Sequence, residues 1–185
     1  MRLNMARPLR IQYPGAVYHV MARGSHGEPV FADDTDRNLF LETLGEACAK
    51  TGWRIHAYVL MGNHYHLLVQ TPEPNLVAGM KWLQGTYTQR YNSRHDLSGH
   101  LFQGRYQAVI VDGRREANYF PVVGTCIHLN PAGAGLIRIG QERLKRDRWS
   151  SYTRVSQAAG KVKREPDLWQ KQLAGVVAGA EHPKD

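Results

Sequence analysis

The stretch from Trp53 to Thr71 constrains this chain most. WRIHAYVLM and HYHLLVQT are both rich in β-branched and aromatic residues, and only Gly62-Asn63 separates them. Two such runs with a Gly-Asn joint predict an antiparallel hairpin with a tight connection. Side chains two apart on a strand share a face. His64 and His66 therefore project together, while Tyr65, Leu67 and Val69 project to the opposite, packed side. Two imidazoles so placed can grip one divalent ion, although histidines at this spacing are more often polar surface or core residues than a ligand set.

The hairpin sits within a longer series of strand and helix signals. AVYHVMAR (16–23) follows the turn-like Tyr13-Pro14-Gly15 and ends at Gly24, which predicts a first strand and then a loop over 24–30. Asp33, Asp34 and Asp36 suit a helix start, Phe40, Leu41, Leu44, Ala47 and Cys48 recur at helical spacing, and Gly52 offers a C-cap. Beyond Pro72 and Pro74, Asn75 can cap a helix whose apolar face carries Leu76, Met80, Leu83, Tyr87 and Tyr91, with Lys81, Arg90 and Arg94 on another face. LFQGRYQAVIV (101–111) predicts a further strand, and a third helix is expected from about Arg115 to Asn130, stopped by Pro131. The order strand, helix, strand, strand, helix, strand, helix predicts an α+β fold, an antiparallel sheet of the split βαβ type with helices packed on it. Residues 1–154 form the expected domain, and 155–185 a basic tail that is either a short helix or disordered.

Charge narrows the partners. Lys and Arg number 24 against 16 Asp and Glu in 185 residues, a net charge of +8 and a pI near 9.7, which favours a polyanion such as nucleic acid. No apolar run approaches the length of a membrane span, and the start, MRLNMARPLRIQYPG, lacks the apolar centre of a signal peptide, so a soluble, cytoplasmic protein with no membrane partner is expected. Cys48 and Cys126 are far apart and form no CxxC pair, which fits a reducing compartment.

A second chemical segment is TCIHLNP (125–131). Cys126 and Asn130 stand four apart and share one side of a helical turn, so a nucleophile and a ligand would fit there; equally, Asn130 could simply cap the helix before Pro131. Taken with MARPLRIQYPGAVYHVMARG, WRIHAYVLMGNHYHLLVQTP, GHLFQGRYQAVIVD and CIHLNPAGAGL, in that order, the chain closely resembles the single-tyrosine transposases associated with repetitive extragenic palindromes (REP). These are relatives of the small IS200-like transposases with a histidine-hydrophobic-histidine motif. The resemblance covers roughly Ala6 to Leu136.

The resemblance implies a metal-dependent endonuclease for single-stranded or hairpin DNA, and possible homodimers. It implies that His64, His66 and Asn130 hold Mg2+ or Mn2+ against a scissile phosphate, where the metal would polarise the phosphoryl oxygen and orient the diester. In such enzymes a helix tyrosine attacks, leaving a 5'-phosphotyrosine bond and a free 3'-hydroxyl. Here the motif, of the form RYIxLNP in the family, reads TCIHLNP, so Cys126 stands at the nucleophile's position. A thiolate is shorter than a phenolate and less suited to phosphorus, and Pro121 and Gly124 weaken the helix by about 3 and 1 kcal/mol relative to Ala. Tyr119, seven residues earlier, is a weak substitute, since two helical turns displace its hydroxyl by roughly 10 Å.

DNA binding requires phosphate contacts from basic side chains and surfaces for base stacking. Arg7, Arg10, Arg23, Arg90, Arg94, Arg105 and Tyr106 are the candidates, joined by His100 and Gln103 because their segment resembles the family. Two readings follow: a transposase-type endonuclease, or a domesticated DNA-binding protein that keeps the fold and has lost the nucleophile. A third, an RNA-binding sheet, lacks any ribonucleoprotein motif.

Overall fold

The computed structural model describes residues 9–111, 127 and 149–151. The expected third helix, the tail and the segment 112–126 lie outside the described residues, apart from Ile127, which is helical and fully buried.

Strand β1 (Ala16–Arg23) leads through a 3-10 turn at Ser25–Gly27 to helix α1 (Asp34–Thr51). Strands β2 (Arg54–Leu60) and β3 (His64–Thr71), helix α2 (Leu76–His95) and strand β4 (Gln107–Ile110) follow. The sheet order is β2-β3-β1-β4 with every neighbouring pair antiparallel, which is the split βαβ arrangement expected from the sequence. Among the described residues no helix is long and apolar enough to cross a membrane.

Local chemistry accounts for the helix ends. Asp33 accepts a hydrogen bond from the Asp36 amide at 3.0 Å, and Gly52, in the left-handed region at φ 71°, closes α1 on the Cys48 carbonyl. Asn75 precedes α2 as expected, but its side chain does not cap it. It accepts from Trp53 Nε1 at 2.7 Å and donates to the Thr51 carbonyl at 2.9 Å, tying the start of α2 to the end of α1. The Val77 amide is capped instead by Gln12 Oε1 at 2.8 Å.

Two elements depart from the sequence pattern. The strand expected over 101–111 is ordered as β4 only from Gln107, because Phe102 leaves the alternation and turns into the core, while Gly104 adopts φ +67°. In the hairpin, the Met61 amide donates to the His64 carbonyl at 2.8 Å, and neither Gly62 nor Asn63 takes a positive φ. The turn is therefore not of the primed type. It is secured from outside: the Val30 and Phe31 amides donate to the Gly62 carbonyl, and the Gly24 amide to that of Asn63.

Both helices cover one face of the sheet. Phe31, Phe40, Tyr65 and Tyr87 pack edge-to-face or tilted with centroids 4.7 to 5.8 Å apart, and the Tyr87 hydroxyl donates to the Val30 carbonyl at 2.6 Å. Gly79 faces the Trp53 ring so closely that an added Cβ would lie 2.2 Å from it. On the opposite face, Ala57, Val59, Met61, Leu68, Val111 and Ile127 form a second, smaller apolar cluster. A register shift between Ile55 and Ala57 lets Ile55 and Tyr58 both reach the helical side. The outer edge of β2 is paired with 149–151, where the Leu60 amide donates to Trp149 and the Ser151 amide to Tyr58.

Candidate metal and nucleic-acid site

The face of the sheet away from α1 and α2 carries the chemistry. Along β1, Ala16, Tyr18, Val20 and Ala22 belong to the helix-side core, which leaves Val17, His19, Met21 and Arg23 on the other face. The β1–β3 register sets Arg23 opposite His64 and Met21 opposite His66. The two rings of β3 have centroids 5.3 Å apart and stand nearly perpendicular, at 81°.

Among the described residues each of these imidazoles has one nitrogen engaged. His64 Nδ1 lies 2.8 Å from Asn63 Oδ1, and His66 Nδ1 lies 3.0 Å from His19 Nε2, whose ring stacks beside it. Burial holds the His64 pKa below its ordinary value, helped by the Arg23 charge. Burial, with repulsion from His19 and His64, pushes that of His66 down to about 4, and burial lowers His19. All three rings are thus neutral near pH 7, the form in which imidazole can ligate a metal.

A cavity of about 500 Å3 opens over the pair, lined by Arg23, Asn63, His64, His66, Gln103, Arg105 and Gln107 among others. Among the described residues its lining holds two guanidinium groups and no carboxylate. Arg105 also lines a second cavity of about 480 Å3, with Arg10, Lys81, Gln84 and Tyr106. The expected residues Arg23, Gln103 and Arg105 are therefore brought to the histidines, and Arg10 and Tyr106 lie one cavity away.

Other expected residues are placed differently. Arg90 donates to both carboxylate oxygens of Glu46 and to Thr43, and Arg94 pairs with Asp33 and with the fully buried Asp36. Both guanidinium groups bridge α2 to α1 in the helical layer, so their charge is already matched by carboxylates. Tyr106 is buried beneath Arg10, whose guanidinium sits 3.7 Å from the ring centre, so that face is not open to a base. His100 is exposed and does not line either cavity. Arg7, Tyr119, Cys126 and Asn130 lie outside the described residues.

Sequence reasoning missed His19 and Asn63. The signal for His19 was present in the alternation of AVYHVMAR, but only the register shows that its ring reaches His66 rather than another strand. Among the described residues no three His, Cys, Asp or Glu side chains gather as a metal set. The donor chemistry nevertheless fits part of one: two neutral imidazoles on one strand face, each with Nε2 free of any hydrogen bond within the described residues.

No curated protein matches the chain by sequence. In structure it is similar to a REP-associated tyrosine transposase bound to a REP hairpin, with TM-score 0.67 and 12% identity over 89% of this chain and 91% of that one, which shows the shared fold. A second solved structure, assigned as a transposase of Deinococcus radiodurans R1, is 20% identical over 65% of this chain and 95% of its own, with TM-score 0.44. The model for the family "Transposase IS200 like" matches residues 12–120, more than half of the chain and all of the sheet with its histidine face, and the chain belongs to the IS200-like transposase family.

Proposed function

We propose that this protein binds single-stranded or hairpin DNA across the histidine face and acts there as a transposase-type endonuclease. The observation that carries the reading is the single cavity in which His64 and His66 stand beside Arg23, Gln103 and Arg105 with no carboxylate among them. Guanidinium groups supply the phosphate contacts such a substrate requires, and the second cavity, with Arg10 and Lys81, continues the basic lining through Arg105. The relative seated on a REP hairpin supports a hairpin as the substrate.

In this reading His64 and His66, with Asn130, hold Mg2+ or Mn2+. When bound, the metal polarises a phosphoryl oxygen of the scissile diester. The chain's own residues do the rest. Arg23 and Arg105 bind the flanking phosphates, Gln103 and Gln107 hydrogen-bond the backbone, and the buried sheet beneath keeps the pair of imidazoles rigid. Cys126 stands at the nucleophile's position, with Tyr119 the weaker alternative.

That cysteine favours a second reading, in which the protein is a domesticated DNA-binding protein that engages a hairpin without cutting it. One experiment separates the two. The full chain and Cys126→Tyr are incubated with a labelled hairpin oligonucleotide and Mn2+, and covalent adducts are resolved on a denaturing gel. An adduct with the parent that disappears in His64→Ala supports the endonuclease. Cleavage by Cys126→Tyr alone supports the binding protein, and the absence of hairpin binding by either chain would defeat both. The resemblance allows a homodimer, and light scattering reads whether two copies pair.

A further inference from the structure

Among the described residues Asn63 and His19 are the two unassigned polar groups that touch the histidine pair, and their bonds carry information about protons. The Asn63 side chain has its amide end fixed, because Nδ2 donates to the Gly27 carbonyl at 3.1 Å and a carbonyl only accepts. Its Oδ1 must then face His64 Nδ1, 2.8 Å away, and an oxygen without a proton requires the imidazole to supply it. His64 is thereby held with its proton on Nδ1 and its lone pair on Nε2.

The contact between His66 Nδ1 and His19 Nε2, 3.0 Å apart, admits two arrangements, since either ring can donate. Only one leaves His66 Nε2 with a lone pair: Nδ1–H of His66 donating to the Nε2 lone pair of a His19 whose own proton is on Nδ1. The stacked geometry, with centroids 5.2 Å apart and planes 27° from parallel, also fixes the His66 ring against rotation.

We propose that His19 and Asn63 are positioning residues that hold His66 and His64 as Nδ1–H tautomers in the metal-free protein, so that both Nε2 lone pairs face a divalent cation together. This rests on the metal-site reading above and adds the groups that prepare it. Outer hydrogen bonds of this kind orient ligand rings and raise their basicity, and losing one weakens metal affinity by about 10 to 100-fold. Neither partner is charged, so the site gains order without adding a carboxylate that would repel a phosphate.

The test uses the full chain labelled with 15N-histidine and stripped of metal, in which long-range proton–nitrogen correlation spectra show which ring nitrogen carries the proton. His64 and His66 should both read as Nδ1–H, whereas the exposed His100 should favour the Nε2–H form usual for free imidazole. His19→Phe keeps a ring of similar size but offers no acceptor; His66 should revert towards Nε2–H, and Mn2+ affinity, followed by the spin-resonance signal of free Mn2+, should fall about 10 to 100-fold. His19→Gln restores an acceptor and should recover most of both readouts, which a general packing defect would not allow. Asn63→Asp keeps the acceptor and should leave His64 as Nδ1–H. A wild-type His66 found as Nε2–H, or unchanged Mn2+ affinity in His19→Phe, overturns the proposal. Nδ1–H tautomers in a chain that takes up no Mn2+ would leave the positioning roles of His19 and Asn63 standing and remove the metal reading, whereas Mn2+ uptake with His66 as Nε2–H would do the reverse.

Discussion

The two faces of β3 differ in what they are built to do, although they alternate along the same eight residues. Tyr65, Leu67 and Val69 are fully buried beneath both helices, within a cluster of aromatic rings whose centroids lie 4.7 to 5.8 Å apart. His64 and His66, which flank Tyr65, are only partly buried, and among the described residues each meets another polar group through one nitrogen. Packing holds the first face and hydrogen bonds orient the second. The histidines take their footing from the packed face, because Tyr65, the residue between them, is fully buried against the aromatic cluster.

The comparison is broken most severely from the packed side. Phe40→Ala removes a fully buried ring from the centre of the aromatic cluster and should lower the unfolding free energy by about 3 to 5 kcal/mol, measured in urea. Gly79→Ala is gentler, with about 1 to 3 kcal/mol lost as the new methyl forces Trp53 aside. Equal stability for either variant and wild type would mean that this layer does not support the sheet.

Acid acts through the other face. His19, His56, His64 and His66 all have pKa values lowered by burial, His66 to about 4. The unfolded chain, with histidines near the ordinary value of about 6.5, then binds more protons than the folded one as pH falls below that value. Stability is therefore full above about pH 6.5 and should decline from there towards pH 4. His66→Phe should make that decline shallower; an unchanged slope would show that His66 titrates normally in the folded state.

The smallest effect on stability is expected at His64 itself. His64→Ala should shift the unfolding free energy by no more than about 0.5 kcal/mol, as for a half-exposed side chain outside the core, while abolishing the uptake of Mn2+ that the site is proposed to support. A large loss of stability would place His64 with the packed face and end the division between the two.

Much of the frame was legible beforehand. The strand bounds 16–23 and 64–71, the acidic helix start at Asp33, Asp34 and Asp36 and the C-cap Gly52 follow from alternation and capping chemistry, which act within a few residues and so can be read from a line of text. Asn75 and the 101–111 segment were misread for the opposite reason. Asn75 was drawn away from its own helix by Trp53 and Thr51, and Phe102 left a strand pattern because Tyr65 and Tyr87 offered it a buried place. Arg90 and Arg94 looked like free cations because their carboxylate partners lie 44 to 61 positions away in sequence.

The shared face of His64 and His66 was determined by sequence alone, because a two-residue period is a property of extended backbone and needs no tertiary contact. Which groups complete that face was decided only by the fold. The antiparallel register brings His19 across from β1, the docking of the loop before α1 fixes the Asn63 amide, and the return of β4 delivers Gln103 and Arg105. Hydrogen bonds reach about 3 Å and respect no order along the chain, so the state of each imidazole is set by neighbours that only folding brings together.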